Sequence, residues 1–118
     1  MALVHISYDA IESKNSEALR RDIPKAFLSS GHSIYAFTEP QRSTFRFEIK
    51  GSAKDAGWAR LVMSKFKSQC YYFISMSDAY LDENNSSVYP SCTNENGSLN
   101  KNFQEILNGI REDIANGV

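Results

Sequence analysis

A chain of 118 residues, 42% apolar and 23% charged, can bury one core and has little room for a second, so one ordered domain is expected and whole-chain disorder is not. Thirteen basic side chains against 14 acidic ones leave a formal net charge of −1, which argues against a strongly basic nucleic-acid coat and leaves room for a local basic patch. No run approaches the ~20 apolar residues of a membrane span, and Met1-Ala2-Leu3-Val4-His5 lacks the basic start and apolar stretch of an export signal, so a cytoplasmic protein free of the membrane is expected.

Residues 3–8 alternate, with Val4, Ile6 and Tyr8 on one side and Leu3, His5 and Ser7 on the other, which predicts a strand closed by Asp9. Asn15-Ser16-Glu17 offers helix caps, and Leu19, Ile23 and Phe27 recur every four residues as an apolar stripe. Pro24 inside that stripe removes a backbone donor and predicts a kink, or a second short turn capped by Asp22. Gly31 ends the helix. Residues 33–37 read as a second strand, Pro40-Gln41-Arg42 as a turn, and residues 44–50 as a third strand with Phe45, Phe47 and Ile49 on one face, so the two strands form a hairpin. Ser52 with Asp55 three residues on marks a second helix start. Trp58, Leu61, Val62 and Phe66 supply its apolar stripe, and residues 70–76 a fourth strand.

The order β-α-β-β-α-β is the split βαβ unit, so the expected class is α+β: a ferredoxin-like βαββαβ sandwich with a C-terminal amphipathic helix. Residues 1–80 form the ferredoxin-like domain in this reading. Residues 81–98 are a polar loop rich in Asn and Ser, and residues 99–118 carry the last helix, where Phe103, Ile106, Leu107, Ile110 and Ile114 share one face. Cys70 reads as a core residue and Cys92 as a loop residue, and two cysteines make no disulfide framework.

Two helices cover one face of such a sheet and leave the other open. Alternation sends Arg46 and Lys50 to the open face, joined by Tyr71 and Phe73 if Cys70, Tyr72, Ile74 and Met76 are core, and by Tyr35 and Phe37. Aromatic rings interleaved with cations can stack bases and hold phosphates. The same rings can instead bury against the last helix or a second subunit, and the helix face of Phe103 and Ile110 can seat a partner; Tyr71, Phe73, Phe103 and Ile110 are the candidate interface.

Asp9 is the candidate catalytic and metal-ligating residue. A carboxylate at a strand end suits Mg²⁺, which takes oxygen ligands, and two copies across a dimer axis would make a fuller site than one. The bland alternative is a turn cap. Arg20 and Arg21 with Lys25 on the first helix, and Arg42, Arg46, Lys50 and Lys54 near the hairpin, form two basic zones suited to phosphates or to plain solvation. His5 and His32 have no metal-ligand spacing with the cysteines. No phosphate-loop, dinucleotide or nucleophile-elbow pattern occurs.

Ile6-Ser7-Tyr8-Asp9, a helix after Asn15, and Gln41-Arg42-Ser43-Thr44-Phe45 opening the third strand resemble the small CRISPR adaptation nuclease family and its stand-alone SinR-like and VapD-like relatives. The resemblance spans about residues 3–76. It implies a homodimer of ferredoxin-like subunits, a catalytic carboxylate at Asp9, Ser43 and Phe45 in the third-strand motif, and metal-dependent cleavage of RNA or DNA or a purely structural role. Pro24, the near-neutral charge and the Asn-rich loop in place of a short last strand depart from the family pattern.

Two functions follow. One is a small dimeric nucleic-acid-associated protein, an Mg²⁺-dependent endoribonuclease acting through Asp9 with Arg42, Ser43, Arg46, Lys50, Arg20 and Arg21 on the nucleic acid. The other is a non-enzymatic module, such as an antitoxin, an inhibitor or a phage-type regulator, that docks a protein through the open sheet face or the last helix. A small-molecule sensor ranks third, because no glycine-rich ligand loop stands at a strand–helix junction.

Overall fold

The computed structural model describes residues 1–78, 80–81, 87–88 and 97–117. Its elements run β1 (Ala2–Ala10), α1 (Ser16–Leu28), β2 (Tyr35–Gln41), β3 (Thr44–Ile49), α2 (Trp58–Ser64), β4 (Cys70–Asp78), β5 (Tyr80–Leu81), β6 (Ser87–Val88) and α3 (Gly97–Ala115). The fold is α+β, with one four-stranded antiparallel sheet in the order β2-β3-β1-β4 and a separate two-stranded ladder of β5 and β6. Most of the polar stretch 81–98 lies outside the described residues, as does Cys92. Among the described residues no helix is long and apolar enough to cross a membrane.

One face of the sheet carries the core. Val4, Ile6 and Tyr8 of β1, Phe45, Phe47 and Ile49 of β3, and Cys70 of β4 are buried there under Leu19, Ile23 and Phe27 of α1 and Ala59, Val62 and Met63 of α2. The period of two in the strands and of four in the helices puts these side chains in one layer. Phe27 lies 5.1 Å from Phe47 and 6.0 Å from Trp58, ring centre to ring centre, in tilted contacts. Each fully buried phenylalanine contributes about 1.5–3 kcal/mol relative to exposure.

The capping read from Ser52 and Asp55 is present. The Ser52 backbone N–H donates to the Asp55 carboxylate at 2.8 Å, and this bond, more than any other contact, holds the Asp55 carboxyl below the usual range. Pro24 sits inside α1 and the helix continues through it to Leu28. The hairpin differs from expectation. β2 extends through Pro40 to Gln41, and the turn is Arg42-Ser43 with Ser43 at φ +62°. Pro40 is tolerated because β2 is an edge strand, where a missing donor need not break a ladder bond.

Phe37 is a correction. It is buried in the core, 5.4 Å from Phe47, and does not join the open face. Ala36 takes φ +52°, and the β2–β3 register shifts between Tyr35 and Thr38 and again between Thr38 and Gln41. Such irregularities break the alternation, so Tyr35 and Phe37 part to opposite sides.

The last helix is a second correction. α3 packs on α1 and β2, and Phe103 and Ile110 are fully buried within the chain. The Phe103 ring lies 5.5 Å from Phe45 and 6.0 Å from Phe37. Arg21 on α1 pairs with Asp113 on α3. The side of the sheet near β2 needed a cover, and α3 supplies it, so neither Phe103 nor Ile110 is free to seat a partner.

Candidate nucleic-acid interface

The strand registers lay out the face turned away from the helices as a grid, exposed along β4 at Tyr71 and Phe73 and buried at Leu3. Asp9 stands beside Tyr71; Thr44, Ser7 and Phe73 form the next row; then Arg46, His5 and Ser75; then Glu48, Leu3 and Ser77. Thr38 and Tyr35 of β2 extend the last two rows outward. Tyr71 and Phe73 are each 69% exposed, more than any other aromatic ring among the described residues. They are two residues apart on one strand face, about 6.8 Å along it. A shallow hollow of about 310 Å³ lies among Ser7, Tyr8, Asp9, Tyr71, Tyr72 and Phe73.

Asp9 is exposed at this hollow, and among the described residues its carboxylate accepts no hydrogen bond, so it is not a turn cap. Magnesium wants several oxygen ligands. Among the described residues no three acidic, histidine or cysteine side chains come together, and around Asp9 the hollow offers hydroxyls and rings. This donor set does not fit a metal within one chain, and no chemical step is derived through one.

The arginines divide by environment. Arg20, expected on nucleic acid, is instead buried at 3% exposure, and its guanidinium donates two bonds of 2.8 and 2.7 Å to Glu39, which is itself fully buried. The predicted stripe of Leu19, Ile23 and Phe27 is buried as expected, and Arg20, three residues before Ile23 on its flank, is buried with it against the Glu39 carboxylate of β2. A buried charge needs such a partner. Glu39 was invisible to sequence reasoning, since its partner lies 19 residues away and neither residue type signals burial. Arg21 pairs with the half-buried Asp113 and Arg42 with the exposed Glu17, and both arginines are themselves exposed. Exposed pairs of this kind are worth under about 1 kcal/mol, so a phosphate can compete for either arginine.

Arg46 is the cation on the open face itself, across β1 from Ser75 and two strand spacings, about 10 Å, from the β4 column. Its Nη1 is buried and, among the described residues, has no hydrogen-bond partner. Burial, and secondarily the Arg46 charge, lower the pKa of the neighbouring His5, which therefore favours its neutral form. Lys50 is exposed, with Nζ 5.8 Å above the Tyr35 ring, itself 40% exposed.

Ser43 works from the hairpin turn. Its carbonyl accepts the Tyr8 backbone N–H at 3.0 Å, which sets the turn and Arg42 beside the end of β1 that carries Asp9. The Tyr8 hydroxyl faces the buried side. Burial first and the Glu39 carboxylate second push its pKa up to about 12, against the pull of the Ser43 side chain, Arg42 and Arg20. Cys70 is buried too, which raises its thiol pKa and keeps it unreactive.

Compared with family models, curated proteins and solved structures, the chain matches none. The resemblance to the CRISPR adaptation family therefore stands on the short segments 6–9 and 41–45.

Proposed function

We propose that this chain is a nucleic-acid-binding protein built as a ferredoxin-like sandwich, and that its uncovered sheet face takes a single-stranded RNA or DNA without cutting it. The observation that carries the reading is the pair Tyr71 and Phe73, side by side and 69% exposed on a face that holds Arg46 and borders Arg42. Base stacking on such rings tolerates any sequence and is worth about 1–3 kcal/mol per base. The strand order and the helices on one face support the sandwich reading.

The test is anisotropy of a labelled single-stranded oligonucleotide. Phe73→Ala and Tyr71→Ala should each weaken binding by roughly tenfold, the effect of one lost stack. Asp9→Asn, which removes a negative charge from the face, should leave binding intact or slightly tighter. No binding by the unaltered protein at low salt, or equal binding by the double alanine variant, would sink the proposal. A second reading, a protein partner on the same face, is favoured by its balanced charge: Asp9 and Glu48 offset Arg46 and Lys50. Oligonucleotide binding that does not weaken as salt rises would favour it.

A further inference from the structure

We infer that β4 pairs edge to edge with β4 of a second copy, joining two sheets into one of eight strands. The two edges of this sheet are built differently. β2 is seven residues long, broken by two register shifts, holds Pro40, and lies under α3. Those are devices that keep an edge from pairing. β4 has none of them. It runs nine residues without a proline, keeps continuous register with β1 from Ala10↔Cys70 to Ala2↔Asp78, and carries one charge, Asp78, at its very end. Among the described residues no strand pairs with its outer side. Its backbone donors and acceptors there form a ready template.

A second β4 is the occupant that fits. The strand is nearly uncharged, so two copies running antiparallel about a two-fold axis bring no like charges together along their middle. The same axis keeps both sets of helices on one side. It places Tyr71 and Phe73 of both copies together on the other side, still facing solvent. The strand edge by itself is a smaller contact than the roughly 800 Å² per partner of ordinary stable interfaces, so association should depend on concentration.

This pairing has a geometric signature. β1 lies one strand inward from β4, so the two Asp9 backbones are at least three strand spacings apart, about 14 Å, in any register. They do not share a cation in this dimer. The inference concerns the edge and holds whether or not the open face binds nucleic acid.

The experiment is light scattering on the full chain from about 1 μM to 1 mM, which spans weak to moderate association, joined to amide exchange at both ends of that range. The mass should rise from 13.3 kDa toward twice that value, and the β4 amides should gain protection with concentration. Ser75→Lys with Ser77→Lys, both at exposed positions, should hold the chain monomeric with its circular dichroism unchanged, while Gln41→Lys on the β2 edge should not. A monomer at every concentration overturns the inference. So does a dimer that the β4 lysines leave intact, or β4 protection that is equal at both concentrations, which would mean that the edge is filled within the chain. If the lysine variant fails to fold, exchange on the unaltered protein decides alone.

Discussion

Both faces of the sheet present aromatic rings, and the two sets have opposite fates. On the helix side Phe27, Phe37, Phe45, Phe47 and Phe103 touch one another and lose all or nearly all contact with water. On the other side Tyr71, Phe73 and Tyr35 stand in solvent among hydroxyls and charges. The residue types are alike, so hydrophobicity alone does not separate them. What separates them is whether a helix covers the face, and all three helices cover the same one. A large exposed ring gains nothing for folding and is therefore free to serve binding.

The widest gap between the faces should appear on truncating a ring on the closed side. Phe47→Ala is expected to destabilise the fold by about 3–5 kcal/mol in urea denaturation, through lost transfer energy and the cavity left behind. Glu39→Ala should cost a similar amount, about 3–5 kcal/mol, because it strands the Arg20 charge. The double variant Arg20→Met/Glu39→Leu should recover most of that loss, and a strictly additive double-mutant cycle would disprove the coupling. On the open side, Phe73→Ala should shift stability by no more than about 0.5 kcal/mol while weakening oligonucleotide binding. A loss above 2 kcal/mol there would erase the contrast between the faces.

The smallest expected effect is a pH dependence centred on His5. Its pKa in the folded chain is lowered, so the unfolded chain binds more protons once pH falls below the ordinary histidine value of 6.5. The stability that neutral His5 supports is fully present above pH 6.5 and declines on acidification toward the folded value. His5→Gln should flatten this part of a thermal-unfolding pH profile, and an unchanged slope would reassign it.

The order of elements was legible because 44–50 and 70–76 alternate without a break and the helical stripes at 19–27 and 58–66 do not. The sides of β4 were legible for the same reason: Cys70 is buried while Tyr71 and Phe73 are exposed. Phe37 was misplaced because an alanine at positive φ leaves no mark in a sequence, where a glycine would have. The last helix announced its apolar face and not what would cover it, which depends on the width of sheet left by α1 and α2. Arg20 misled because its partner is defined only by the packing of α1 on β2. For the open face, the sequence supplied which residues point outward, and their spacing on the grid came from the strand registers.

The doubly bonded arginine and carboxylate beneath α1 have a consequence for how this chain can change over time. Sliding the helix by one residue along the sheet would leave two opposite ions in oil with nothing to hold, so the pair works like a dowel that admits one seating. Any lineage that alters either member must replace both together, or first open that corner of the interior to water.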